Sequence, residues 1–407
     1  MKALVLAGGF PQIALIKELK SRNIYTLLAD WGSDPVAKEY ADKFYQVSTL
    51  DVKAIKNIAI NENVDFLITA CTDQALLTVA KVSEELGLPC YLDYKTALNV
   101  TNKAYMKKVF VKNKISTAKY EIMGVLDFVK IKDFSYPLIV KPVDCNSSKG
   151  VKKVENDDEL KQAFNDAVEL SRTKTAIIEQ FIDGPEISVD VYVENGHAHV
   201  LCISNNDKIA DKDKFIIFRG RSPARETDII KEQIEFIAQQ IADAFNLKNS
   251  PMLIQLITDG KKAYVLEFSA RTGGGTKFLR IKYLTDFDVI KAVVDLTLGD
   301  KPHVNKVLNQ KFLADEFIYC KNGTFDHLEG FEVLKKEKII TEYYLFKNKG
   351  AIMDKVASSG DRIAGFTIVA DSLDKLIEKH EVVSKTIKVI DSEGRDMMRH
   401  DLLSELM

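Results

Sequence analysis

At 407 residues the chain exceeds what one hydrophobic core usually organises, which implies two or three packed domains. Apolar residues make up 46% and charged residues 29%, an ordinary globular composition that excludes a disordered or collagen-like chain. The 57 basic and 59 acidic residues nearly cancel, so no chain-wide field attracts nucleic acid or an anionic membrane, and small molecules are the expected partners.

Five cysteines (Cys71, Cys90, Cys145, Cys202, Cys320) lie far apart, with no C-x-x-C pair and an odd total, which argues against a zinc site and a disulfide framework and fits a reducing cytosol. The opening MKALVLAGGF is cut short by glycines before it could serve as a secretory core, and no stretch reaches the roughly eighteen apolar residues that span a bilayer. A soluble, cytoplasmic protein is expected.

Residues 1–100 alternate β-type runs (3–7, 25–29, 66–69) with helical patterns (12–21, 54–61, 73–86), the signature of βαβ units and a parallel sheet. Gly8-Gly9 follows the first strand where a helix N-terminus could meet an anion, and Asp30 ends the second, so a dinucleotide site must be considered. The turn is not G-x-G-x-x-G, and a simple tight turn is the better reading.

A Lys-rich helix over 102–114 follows, and the pattern then changes to strands at 119–124, 136–142, 175–182 and 186–196 around a helix at 157–171. A long amphipathic helix at 228–245 precedes two strands, 252–258 and 263–269, joined through Asp259-Gly260, a strong turn signal. Past Gly299-Asp300-Lys301-Pro302 come short strands and one helix near 372–387. The expected domains are 1–100, a parallel-sheet unit; 101–310, containing a small α+β lid at about 119–190; and 311–407, a small α+β unit.

Three segments carry chemistry. In LIQLITDGKKAYVLEFSARTGGG, strand alternation places Glu267, Ser269 and Arg271 on one face, with Gln255 opposite across the hairpin. Hard Mg²⁺ takes a few carboxylate or amide oxygens together with substrate phosphates, and Arg can hold a transferring phosphoryl group by its fork. A polar outer face of an ordinary hairpin would look similar. The run Gly273-Gly274-Gly275 decides against it, because three glycines after a strand expose successive N–H groups to an anion and cost entropy without such a role. In PLIVKPVDCNSSKGV, Lys141 ends an apolar strand beside a loop of small polar residues suited to covering phosphates, although no P-loop is present. In IIEQFIDGPEISVD, Glu179 and Glu186 flank a turn, where carboxylates could accept from a base and from ribose hydroxyls, although taken alone the segment reads as an acid-rich surface turn.

Taken in this order, the three segments resemble the ATP-grasp superfamily over roughly residues 1–310. The flavour is that of carbamoyl-phosphate synthetase large-subunit halves, with phosphoribosylglycinamide synthetase, biotin carboxylase and L-amino-acid ligases nearby. The resemblance implies an N-terminal pre-ATP-grasp domain, then an ATP-grasp fold with a lid and a small C-terminal domain. It implies that Lys103 and Lys141 bind phosphates under a loop containing Ser147, Ser148, Lys149 and Gly150. Glu179 would mark the adenine linker, with the Phe181 backbone at the adenine edge and Glu186 on the ribose. Gln255, Glu267 and Ser269 would hold Mg²⁺ or Mn²⁺, and Arg271 with Lys141 would act on the transferring phosphoryl group. Ser269 departs from the family's E-[IVL]-N-P-R, where Asn stands.

The implied activity is an ATP-dependent, ADP-forming carboxylate–amine ligase, passing through an acyl-phosphate, with small-molecule substrates resembling amino acids. Alternatives are phosphoribosylglycinamide-type ligation, bicarbonate activation, a non-catalytic nucleotide-binding regulator, and an NAD-dependent oxidoreductase. Phe218 to Arg225 carries three arginines, a candidate anion clamp or a solvated basic loop. His197 and His199 share a strand face with no third ligand evident in the sequence. The last hundred residues are open to covering the site or to forming a homodimer.

Overall fold

The computed structural model describes residues 1–145, 149–209, 216–305, 309–354, 356–403 and 406. Four parallel strands open the chain: β1 (Lys2–Leu6), β2 (Tyr25–Asp30), β3 (Lys43–Gln46) and β4 (Phe66–Ile68), ordered β3-β2-β1-β4. Helices α1 (Phe10–Ser21), α2 (Val52–Asn61) and α3 (Asp73–Leu86) join them. Ala3 to Leu6 are fully buried, as a strand covered on both faces requires. β3 escapes sequence analysis because Lys-Phe-Tyr-Gln lies half exposed on the sheet edge and lacks an apolar run.

The turn after β1 is closed by Asp30: its Oδ2 accepts from Gly8 N–H at 2.7 Å and its Oδ1 from Gly32 N–H at 2.8 Å. A Cβ on Gly8 would stand 2.5 Å from Pro35 Cβ, so only glycine fits.

Helices α4 (Tyr94–Thr101) and α5 (Lys103–Lys112) lead into a small antiparallel sheet, β5 (Tyr120–Met123), β6 (Leu138–Pro142), β7 (Lys152–Val154) and β8 (Ala176–Gln180), ordered β5-β8-β6-β7. Helix α6 (Asp157–Leu170), capped by Asn156, lies on it over a core of Met123, Leu138, Val140, Leu160, Phe164 and Ile178.

The largest sheet has eight strands, every neighbouring pair antiparallel. Five come from the middle of the chain: β9 (Glu186–Glu194), β10 (His197–Lys208), β11 (Ile217–Ser222), β12 (Ser250–Thr258) and β13 (Ala263–Ser269). The last hundred residues contribute β14 (Phe312–Ile318), β16 (Glu342–Leu345) and β18 (Ala364–Ala370), while β15 (Gly323–Glu329), β17 (Ile352–Met353) and β19 (Lys388–Asp391) form a small sheet alongside. The order is β13-β12-β9-β10-β11-β14-β18-β16. Because β14 pairs on β11, a boundary at residue 310 falls between neighbouring strands of one sheet.

Helix α7 (Thr227–Ala244) buries Ile230, Ile234, Ile237 and Ile241 against Val189, Val191, Ile254 and Leu256 on one face. Helices α8 (Lys277–Thr285) and α9 (Val289–Thr297) lie nearer the other, while α10 (Phe331–Lys336) and α11 (Leu373–Thr386) belong to the C-terminal part. No helix among the described residues is long and apolar enough to cross a membrane.

Candidate active site

On β9 the residues facing α7 are Ile187, Val189, Val191 and Val193, so by alternation Glu186, Ser188 and Asp190 share the opposite face. Gln255 stands across from Ser188 on one side and from Glu267 on the other, extending that polar row over three strands. Simple alternation would not have done this. Ala263 and Val265 point into the α7 core, and so would Glu267. Leu266 is an extra residue in the ladder, which passes from Gln255↔Glu267 to Leu256↔Val265, and this bulge turns Glu267 outward while Phe268 and Ala270 take the core positions. The grouping of Glu267 with Gln255 therefore depends on a bulge that the sequence pattern did not announce.

Gln255 Nε2 donates to Glu186 Oε1 at 3.1 Å, and its amide oxygen takes no hydrogen bond among the described residues. Glu186 is buried and also accepts from Asn206 and Lys208. Lys103, at the start of α5, pairs with Glu267 Oε2 at 2.9 Å and donates to the Cys145 carbonyl at 2.6 Å. Burial pushes the Glu267 carboxyl up, but Lys103 and Lys141 outweigh it and hold the group below its ordinary value.

From the lid sheet, Lys141 pairs with Glu179 Oε2 at 2.8 Å, while Lys107 pairs with Glu179 Oε1 at 2.7 Å. Against the effect of burial, the two lysines hold the Glu179 carboxyl at about 2. The Glu179 side chain is thus committed to lysines, and the Phe181 N–H donates to the Pro137 carbonyl at 3.3 Å. Gly150 has φ +73°, and a Cβ there would stand 2.7 Å from Leu170. Lys149 is exposed, and Ser147 and Ser148 lie outside the described residues.

Arg271 lies beyond the end of β13. It grips Asp73, the first residue of α3, through two N–H groups, Nε to Oδ1 at 2.7 Å and Nη2 to Oδ2, and donates from Nη1 to the Thr272 carbonyl at 2.8 Å. Asp73 is held below its ordinary value against burial, chiefly by Arg271, with Ser269 near enough to contribute. Asp73 and Lys107 were both missed in the sequence. An acid in the first turn of a helix and a lysine in a Lys-rich helix both read as ordinary surface residues. Asp190, on the same polar face, accepts no hydrogen bond among the described residues, and burial pushes its carboxyl up.

The arginines of 218–225 do not form a clamp. Arg219 is buried against Glu316, Arg221 pairs with Asp207, and both belong to β11 instead of a loop; Arg225 is exposed beyond it. Glu194 and His303 join His197 and His199, but no group of three or more His, Cys, Asp or Glu among the described residues is arranged to hold a metal.

A cavity of about 260 Å³ opens where the β1 turn meets the glycine run, lined by Gly9, Phe10, Gln12, Cys71, Gly275 and Arg362. A larger depression, about 740 Å³, lies on the lid around Gly124, Phe128 and Lys130, none of them among the charged groups above.

Lys141 on the lid sheet and Lys103 on α5 gather at an acid–amide pair on the central sheet, an arrangement in keeping with the ATP-grasp class, and residues 134–278 match the family model described as the ATP-grasp domain. The chain is similar to this superfamily, whose named relatives and structural neighbours are ATP-dependent, ADP-forming ligases with ATP and Mg²⁺ as their usual cofactors. It is 22% identical to a phosphoribosylamine–glycine ligase of Methanosphaera stadtmanae over 100% of this chain and 98% of the relative. It is 31% identical to a formate-dependent phosphoribosylglycinamide formyltransferase of Sulfurisphaera tokodaii, over 44% of this chain and only 47% of that protein. Among solved structures, an L-amino acid ligase from Bacillus licheniformis superposes with a TM-score of 0.78 at 20% identity, covering 96% of this chain and 98% of the other.

The residues present fit a magnesium nucleotide. Glu267 keeps one oxygen clear of Lys103 and Gln255 keeps its amide oxygen, a hard donor pair of the kind that Mg²⁺ completes with phosphate oxygens and water.

Proposed function

We infer that the chain joins a small carboxylate to an amine at the expense of ATP, with the carboxylate seated in the 260 Å³ cavity between the β1 turn and the glycine run. The observation that carries this reading is the convergence at that cavity of Arg362, the glycine run and the opening of α1, beside the Lys103–Glu267 and Asp73–Arg271 pairs. Its volume suits an amino-acid-sized molecule, and Phe10 and Phe346 give it an apolar wall. The Gly8 N–H that a phosphorylated substrate could use is already taken by Asp30, which favours an amino acid over a phosphoribosylamine.

Within this reading Lys103 and Lys141 hold the phosphate chain, Glu186 the ribose, and Glu267, Gln255 and Ser269 the metal. The bound magnesium nucleotide supplies the phosphoryl group that converts the carboxylate to an acyl-phosphate. Arg271 has five N–H donors; three are spent on Asp73 and Thr272, so two remain to stabilise charge on the phosphoryl oxygens. Displacement by the amine then forms the C–N bond and releases phosphate. The acyl-phosphate must be kept from water until the amine arrives.

The test is phosphate release with ATP and Mg²⁺ across amino acids supplied singly and in pairs. Release that requires an amino acid, with an amide product by mass spectrometry, is the expected result. Release that responds to bicarbonate or a phosphoribosylamine and to no amino acid would overturn the substrate reading.

A further inference from the structure

Helix α5 carries two lysines one turn apart on one face, Lys103 and Lys107, and each meets a different carboxylate. Lys103 reaches Glu267 on the central sheet; Lys107 reaches Glu179 on the lid sheet. Lys107 is 1% exposed, and a lysine is almost never buried to this extent without a specific partner. Its ammonium also donates to Thr117 Oγ1 at 2.6 Å, and Thr117 donates to the Val265 carbonyl of β13 at 2.7 Å. The lid carboxylate is thereby tied to the central sheet through one side chain. Glu179 in turn holds Lys141, so the three groups form a buried chain in the order Lys107, Glu179, Lys141.

We propose that Lys107 is a positioning residue for nucleotide binding: by neutralising Glu179 it leaves the Lys141 ammonium free to face the phosphate chain. The proposal rests on the reading of Lys141 as a phosphate-binding group. With Lys107 charged, Glu179 is shared between two cations, and Lys141 keeps N–H donors and positive charge for a ligand. Without that charge, Lys141 is the one cation among the described residues still paired with the buried carboxylate, and its attraction to phosphate competes with its hold on Glu179.

A merely structural ion pair predicts lower stability on mutation and nothing further; this arrangement also predicts a pH dependence. Burial pushes the Lys107 ammonium down to about 8, with Lys141 adding to the effect and Glu179 opposing it. The groups facing it are Glu179 from β8, Lys141 from β6, Glu267 from β13, the Tyr120 ring from β5 and Thr117. Above that pH Lys107 loses its proton and affinity for ATP falls.

The experiment is calorimetric titration of ATP into the full-length wild type, Lys107→Arg, Lys107→Met and Lys141→Met across about pH 6.5 to 9.5, a window that brackets the lowered lysine value. Wild-type affinity should fall above about pH 8. Lys107→Arg stays charged and should bind within roughly threefold of wild type at pH 7 without the alkaline fall, because a guanidinium does not titrate there. Lys107→Met should bind roughly tenfold more weakly at pH 7, the scale of one charged hydrogen bond, with a flat profile. An alkaline fall that persists in Lys107→Arg overturns the proposal, even where Lys107→Met fails to fold. If Lys141→Met binds ATP as the wild type does, the reading of Lys141 fails, and this inference with it. If Lys141→Met weakens binding while both Lys107 variants follow the wild-type profile, the inference fails alone.

Discussion

Replacing Asp73 by Asn removes the carboxylate that grips Arg271 while keeping the side chain's size. Both partners are only 14% exposed, so the guanidinium would lose its counter-charge in a largely dry site. The amide also turns one oxygen acceptor into an N–H donor facing the Arg271 N–H groups. Breaking a buried pair by removing one partner costs about 3–5 kcal/mol, and partial exposure with Glu267 nearby brings the expected loss to roughly 2–3 kcal/mol. Unfolding temperature should fall by several degrees, as roughly that energy implies for a chain of this size. The functional effect should be split. A freed Arg271 still adds positive charge near the phosphates, so ATP affinity should hold or rise. Its two remaining donors lose their aim, and kcat should fall about a hundredfold, the usual cost of misplacing a group by about an ångström. The assays are thermal unfolding, ATP titration and substrate-dependent phosphate release on one preparation. Unchanged kcat in a folded Asp73→Asn protein would refute the claim that Asp73 aims Arg271, and an equal loss in affinity and turnover would make the pair a ground-state binding element.

Glu267→Gln should retain its fold and lose nearly all ATP turnover, because a neutral amide replaces the anionic metal ligand; wild-type-like turnover at saturating Mg²⁺ would remove Glu267 from the metal site. Glu179→Gln should flatten the acid limb of stability. The folded carboxyl is held at about 2 by Lys107 and Lys141, below the ordinary 4.5, so its contribution is complete above about 4.5 and lost as pH falls toward 2. Unfolding temperature against pH compares the two proteins. A limb of equal steepness in both would show that other carboxylates set it.

The elements legible in the sequence were those whose burial leaves a period. α3 appeared over 73–86 because one apolar face covers the first sheet, and α7 over 228–245 for the same reason against the large one. β11 was not legible, since Arg219 and Arg221 look like loop residues until Asp207 of the preceding strand and Glu316, 97 residues from Arg219, are brought beside them. The candidate site divides in the same way. Lys103, Lys141, Gln255 and Glu267 stand in segments with a recognisable order, and the fold gathers them around Glu267. What could not be read was how they are held. The Leu266 bulge is a two-residue event inside an apolar run, and Asp73 and Lys107 gain meaning only from partners more than 70 residues distant.

Ser269 gains an explanation from the same geometry. In the family pattern an Asn at this position offers a carbonyl oxygen, and a hydroxyl looks like a poorer ligand. Ser269 stands near enough to Asp73 to help hold that carboxyl down, and a hydroxyl that turns its hydrogen to a carboxylate presents its oxygen lone pairs elsewhere. A partner that fixes a ligand's orientation and draws on its proton makes a neutral oxygen a better donor to a cation, the role that outer groups play around metal sites generally. In the proposed site Asp73 would serve two neighbours at once, gripping the Arg271 fork and orienting the Ser269 oxygen. It does so from the first turn of α3, across from the end of β13 and the segment that follows it. The consequence is that Asp73→Asn should also shift the Mg²⁺ requirement of turnover to higher concentration, whereas a substitution acting on Arg271 alone should leave that requirement where it is.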